Sequence, residues 1–139
     1  MAVTQSLATG LTVVTVNGRR ITDWGQSDSP IVEEPIDQKR SLVRGLGGNG
    51  AILERINQGR RVTLSVMPAS PDSAYLHGLY ESGAIITYTR TQVGSLESSI
   101  GMEGISINEN QVARGGAGSF SDDTFVFEFN VWQSVKGGE

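Results

Sequence analysis

The sequence predicts a mostly-β fold: an antiparallel β-sandwich or barrel of about seven or eight strands, one packed α-helix at about 71–82, and a protruding hairpin arm. Three observations carry this. Alternating runs rich in Val, Thr, Ile and Phe recur along the chain, mostly with hairpin-length connections. Only one segment, opening at Ser70-Pro71, combines a helix start, an apolar face and a stop. The chain holds 18 glycines in 139 residues, about twice the usual ~7%, which marks many turns, bulges and loops.

The elements follow in order. Leu11 to Val16 suits a half-buried strand, Asn17-Gly18 is a strong two-residue hairpin signal, and Arg19 to Trp24 returns as the second strand. Gly25 to Gly50 holds Pro30, Pro35, a charged stretch and a glycine-rich end. Short strands near Pro30–Ile36 and Ser41–Leu46, turning around Asp37–Arg40, are expected to make it an extended polar arm. Ala51 to Asn57 fits either a helical turn or a short strand. Arg60 to Met67 alternates, with Val62, Leu64 and Val66 on one face. Ser70 is a good N-cap, Pro71 suits the first helical position, Asp72 complements the helix dipole, and Gly83 stops the helix. Tyr75, Leu76, Leu79 and Tyr80 give it one apolar face.

Ala84 to Arg90 is a further strand, and Leu96 to Asn108 a long one whose phase breaks. Ile100 and Met102 share one parity and Ile105 and Ile107 the other, so burying both sets requires a bulge, expected at Glu103-Gly104. Asn110 to Asp123 is rich in glycine and serine and is expected to be a mobile loop over 110–123. Phe125, Phe127, Phe129 and Val131 form the clearest alternating strand. One domain over residues 1–139 is the expectation, with 25–50 as the arm.

Composition excludes several functions. A chain this long buries roughly 65–70% of its unfolded surface, enough for one core without staples. It has no cysteine, which removes disulfides, thiolate metal sites and cysteine catalysis. The net charge is −4, from 11 basic and 15 acidic residues, so nothing draws it to nucleic acid or an anionic membrane. The bases are scattered, with pairs at Arg19-Arg20, Lys39-Arg40 and Arg60-Arg61, and most are arginine, which suits interface ion pairs. No apolar run approaches the ~20 residues of a membrane span, and Met1 to Thr9 shows no secretory signal. Synthesis in the cytoplasm is the expectation.

No catalytic, cofactor or metal set is visible. Gly45-Leu46-Gly47-Gly48-Asn49-Gly50 spells the dinucleotide fingerprint, but no buried strand precedes it and Gly59 arrives before a full helix can follow, so a flexible hinge is the better reading. His77, the sole histidine, stands mid-helix between Ser73 and Glu81 without a visible nucleophile or ligand set. Glu33-Glu34 and Asp122-Asp123 are adjacent pairs, which on a strand point to opposite faces and form no acid–base dyad. The aromatics Trp24, Tyr88, Trp132 and four phenylalanines fit a core better than base-stacking platforms, which come with a basic groove.

From Gly59 to Tyr80 the chain runs through a turn, the strand Arg-Val-Thr-Leu-Ser-Val-Met, then Ala-Ser-Pro-Asp-Ser-Ala-Tyr-Leu-His-Gly-Leu-Tyr. This resembles the tail tube proteins of contractile-tailed bacteriophages, in which a strand enters a Ser-Pro-capped helix. Phe125 to Trp132 resembles that family's closing strand, and Ile31 to Gly50 its acidic hairpin and glycine-rich turn. The resemblance implies a structural virion protein made in the host cytoplasm, forming six-fold rings that stack into a tube. Its partners would be itself, the tail sheath, a tape-measure protein in the lumen, and baseplate and terminator proteins. DNA would transit the lumen without specific binding, which the slight acidity suits, and no membrane or cofactor is implied.

Sheet edges must be covered or used, and a ring uses them. The expected self-assembly surface is therefore the arm: Ile31, Glu33, Glu34, Asp37, Lys39, Arg40, Arg44, Gly47 and Gly50. Related alternatives are a type VI secretion tube, a baseplate tube-initiator and a tail terminator. A small ligand-binding β-sandwich is a more distant one, and an enzyme finds no supporting residues.

Overall fold

The computed structural model describes residues 12–26, 29–110, 112 and 121–136. The first hairpin forms where the sequence places it. β1 (Thr12–Val16) and β2 (Arg19–Ile21) close around Asn17 and Gly18 at φ 51° and 85°, the positive values that a two-residue hairpin turn demands. The Asn17 side chain also accepts from Thr87 N at 2.7 Å and donates to Ile85 O at 3.2 Å, fastening the turn to the strand beside β1.

The remaining elements are β3 (Ile31–Pro35), β4 (Arg40–Arg44), β5 (Gly50–Glu54), β6 (Arg60–Val66), α1 (Pro71–Ser82), β7 (Ile86–Gln92), β8 (Ser98–Glu109) and β9 (Asp123–Val135). Among the described residues, seven strands form one antiparallel sheet in the order β2-β1-β7-β8-β9-β6-β3, while β4 and β5 pair with each other. The sheet rolls until its two edges approach along β6. Arg60 to Leu64 pair with β3. The next residues meet the chain just beyond β2, through the bridge Trp24–Val66 and the bonds Met67 N to Asp23 O (2.8 Å) and Gly25 N to Ser65 O (3.1 Å). No continuous ladder joins the edges, so the roll stays an open barrel.

Its interior is apolar. Val14, Val16, Ile21, Val62, Leu64, Val66, Leu76, Ile86, Tyr88, Phe125, Phe127 and Phe129 are buried together. α1 starts at Ser70, whose hydroxyl accepts from Ser73 N, and ends at Gly83 in the left-handed region at φ 68°. Leu76 is buried, and Tyr75 and Leu79 pack against the core. The helix also carries two buried polar anchors that apolar periodicity does not show. Asp72 accepts from Thr22 N (2.8 Å), Asp23 N (3.0 Å) and Arg19 Nε (3.1 Å), and Ser73 donates to Asp123 on β9. Burial alone would raise the Asp72 pKa, but the two backbone N–H groups and the Arg19 guanidinium outweigh it and hold it below the usual carboxylate value.

The expected bulge is present: Glu103 sits at φ 55°, and the β7–β8 register shifts between Ile86 and Tyr88. Its effect is opposite to the one expected. Ile100, Met102, Ile105 and Ile107 all lie exposed on the outer face, and Gly101 and Gly104 turn inward. The cause is Phe129. A Cβ on Gly101 would stand 2.9 Å from the Phe129 and Trp132 rings, and one on Gly104 would stand closer still to Phe129. The interior volume at β8 is thus filled from β9, and the aliphatic residues of β8 are left outside.

The arm departs from expectation. β3 does not fold back on β4; it joins the main sheet, with Glu33 opposite Val62 and Pro35 opposite Arg60. Pro35, lacking an N–H, is tolerated because β3 is an edge. The reversal occurs instead in the glycine-rich segment, where Gly45 N bonds to Asn49 O (2.7 Å) and Gly48, at φ 89°, bonds to Gly45 O (3.1 Å). The fingerprint-like glycines are therefore a hairpin tip, and Gly50–Glu54 is strand. Most of the segment expected to be a mobile loop at 110–123, and the first residue of the expected first strand, Leu11, lie outside the described residues.

Candidate functional site

The nine residues expected to form an assembly surface divide into two groups. Ile31, Glu33 and Glu34 belong to β3 in the main sheet. Ile31 packs against the core. Glu34 lies on the outer face, 3.5 Å from Arg61, which in turn holds Glu128 at 2.7 Å. Glu33 points into the roll. Its carboxylate accepts from Arg90 Nε (2.8 Å), Tyr88 OH (2.7 Å) and Ser99 Oγ (3.0 Å), and Arg90 reaches on to Glu97 (2.9 Å). The Glu33 and Arg90 side chains are only 14% and 15% exposed. Burial opposes the Arg90 charge, yet Glu33 and Glu97 outweigh it and raise its pKa; burial and the Glu33 charge raise that of Tyr88. Glu33 is thus an internal clamp holding edge strand β3 across the interior to β7 and β8, because alternation on β3 sends odd positions inward.

The other six, Asp37, Lys39, Arg40, Arg44, Gly47 and Gly50, lie on the β4–β5 arm or at its base. The arm's register is Arg40↔Glu54, Ser41↔Leu53, Leu42↔Ile52, Val43↔Ala51 and Arg44↔Gly50. Arg40 pairs with Glu54 at 3.1 Å, and Arg55 with Asp37 at 3.9 Å. Arg55 N bonds to Lys39 O at 2.9 Å, closing the base. The arm extends about 20 Å by strand rise.

This arm is not polar, as its charged flank led one to expect. Leu42 and Ile52 face one side and are 63% and 72% exposed. Val43 and Leu53 face the other and are also exposed, as are Leu46 at the tip and Ile56 at the base. A two-stranded hairpin is at best marginally stable alone in water, and one with both faces apolar presents the kind of exposed patch that marks an interaction surface. The sequence signal was present: two apolar pairs, Leu42-Val43 and Ile52-Leu53, flank a glycine-rich turn.

The arm is also electrically distinct. Lys39, Arg40, Arg44 and Arg55 against Glu54 give residues 39–55 a net charge of +3; with the chain at −4, the remainder carries −7. Beneath the arm lies a cleft of about 410 Å³ lined by Lys39, Arg55, Asn57, Gln58, Arg60 and Trp132 among others, with no acidic residue in its wall among the described residues. The Arg60 guanidinium lies 5.6 Å from the Trp132 ring centre. Among the described residues, Arg60 Nε and Trp132 Nε1 are buried without a hydrogen-bond partner, each a desolvation cost of about 1–3 kcal/mol if left so.

Elsewhere, His77 joins the helix to β8, its Nδ1 lying 2.9 Å from Glu109 and its Nε2 3.7 Å from Glu81. Tyr88, Phe129 and Trp132 are core neighbours, Tyr88 and Trp132 stacking at 5.7 Å. Asp122 accepts from Gln26 N at 2.8 Å. Among the described residues, no three His, Asp or Glu side chains gather as a metal site.

No known protein family matches the chain, and no characterised protein matches it by sequence. Its fold does have solved counterparts. One is the sheath/tube terminator of the PVC extracellular contractile injection system in its extended state, with TM-score 0.67 and 13% identity over 97% of this chain and 100% of that one. Another is the tube-terminating cap of the anti-feeding prophage, with TM-score 0.63 and 12% identity over 97% of this chain and 95% of that one. The chain is similar to these proteins in fold along nearly its entire length.

Proposed function

We propose that this chain is a non-enzymatic structural subunit of a contractile-tail-like particle, assembling into a ring that caps the tube. The observation that carries this is the arm, a solvent-exposed ribbon apolar on both faces that is suited to covering by a neighbour. The fold likeness to two tube terminators supports a place at the tube's end over the repeating tube. The basic arm and the acidic remainder of the chain are complementary, which favours head-to-tail contact between copies, the arrangement that closes into a ring. Six-fold symmetry, contact with sheath and tube, and passage of tape measure and DNA through the lumen belong to the same reading.

The test is negative-stain microscopy of concentrated purified protein, beside a variant in which Arg40 to Glu54 are replaced by two glycines. The arm's ends are already joined by the Lys39–Arg55 bond, so the body should fold without it. Isolated rings with a central hole are expected from the whole protein and monomers from the variant. Long tubes would make it a repeating tube subunit. Monomers of the whole protein at high concentration would refute ring assembly.

A further inference from the structure

We propose that the cleft beneath the arm is a receptor for a carboxylate side chain from a second copy of this chain, an inference that rests on the assembly reading above. Three observations converge there. Among the described residues the wall holds three cations and no acid, in a protein whose acids outnumber its bases. Among the described residues, Lys39 and Arg60 form no ion pair, and Arg55 is only loosely held by Asp37 at 3.9 Å. Arg60 and Trp132 both line this wall, and among the described residues Arg60 Nε and Trp132 Nε1, buried behind it, have no acceptor.

A carboxylate answers the first two directly, and the third once its arrival shifts the Arg60 or Trp132 side chain. It accepts several hydrogen bonds at once, and charged acceptors bind N–H donors more strongly than neutral ones. The choice of a protein carboxylate over a phosphate comes from the surroundings. Ile56 and Leu53, exposed beside the cleft, favour an occupant with apolar surface around its charge. A second copy supplies both, having a net charge of −7 outside its arm and exposed aliphatic residues on β8. Three cations around one cleft also fix the position of the arriving chain, so the cleft would set the register of the contact while the arm supplies its area.

The chain has two lysines, Lys39 and Lys136, which makes the test direct. A carbodiimide joins an amine to a carboxylate only when the two already touch. Applied to an equal mixture of ¹⁴N- and ¹⁵N-labelled protein under assembling conditions, it should give a mixed-isotope link between Lys39 and an Asp or Glu of the other copy. Lys39→Glu should weaken association by roughly tenfold or more in sedimentation, with an unchanged melting temperature. Arg60→Gln keeps the lysine and should lower the Lys39 link yield. Assembly without an inter-chain Lys39 link, or with unchanged affinity in Lys39→Glu, would overturn the receptor and leave the ring proposal standing. Absence of any assembly would overturn both. Weakening of association by inorganic phosphate but not by glutarate at equal ionic strength, read by sedimentation without the carbodiimide, would reassign the cleft to phosphate and overturn the proposal.

Discussion

Replacing Gly104 by alanine would set a methyl group against the Phe129 ring, which fills the hollow left by the two inward glycines of β8. Gly104 pairs with Phe129 on β9 and with Ile86 on β7, so the strand is held on both sides and has little room to retreat. Phe129 is itself 1% exposed and packs on Tyr88 at 5.7 Å and Trp132 at 5.9 Å. Overpacking such a site costs about 1–3 kcal/mol; the upper half of that range is expected here because the ring is enclosed. For a chain of this size that lowers Tm by about 6–12 °C. Urea denaturation of the two single variants and the double variant tests the cause. Phe129→Leu alone should cost about 1–2 kcal/mol. Gly104→Ala with Phe129→Leu should be at least ~1 kcal/mol more stable than the sum of the two predicts, because the smaller side chain admits the methyl. A Gly104→Ala protein within ~0.5 kcal/mol of the wild type, or strict additivity in the cycle, would refute the argument.

Three other outcomes are expected. Glu33→Gln leaves Arg90 with Glu97 as its remaining acidic partner and should destabilise by about 3 kcal/mol, the low end for a broken buried pair, with hydrogen exchange rising first at the β3 amides. Asp72→Asn should cost about 1–3 kcal/mol at neutral pH. Because the folded Asp72 pKa lies below its unfolded value of 3.8, its stabilisation is complete above that value and is lost as pH falls through the folded pKa; the variant should show a shallower acid limb below about pH 4. Leu42→Ser with Ile52→Ser alters residues that touch solvent in the lone chain, so its unfolding free energy in urea should stay within ~0.5 kcal/mol of wild type while sedimentation shows weakened association.

Local rules carried far in this chain. Asn17-Gly18, the Ser70-Pro71 helix start and the Gly83 stop are encoded within a few residues, and each appears where those residues place it. The alternation of Phe125, Phe127 and Phe129 likewise became the core. What local reading missed is long-range. The partner of Ile31–Pro35 is chosen by β6, some thirty residues away, and nothing near Glu33 announces Arg90 or Ser99. The bulge was legible at Glu103-Gly104, but not which face it would serve, since that depended on Phe129 filling the space from another strand. The apolar character of the arm was obscured by its charges and by pairing Ser41–Leu46 with the wrong neighbour.

The position of the arm between β3 and β6 also decides how the subunit bears load. β3 runs into the arm at Pro35 and β6 leaves it at Arg60, and these two residues are paired at the same end of one antiparallel ladder. Tension on the arm therefore peels the two strands apart from that end, breaking their bonds in succession rather than shearing them together. The first firm obstacle to the peel is Glu33, two residues in, gripped by Arg90, Tyr88 and Ser99 from the far side of the roll. The mechanical limit of a docked subunit would then be set by one carboxylate inside the barrel, not by the ribbon that grips its neighbour.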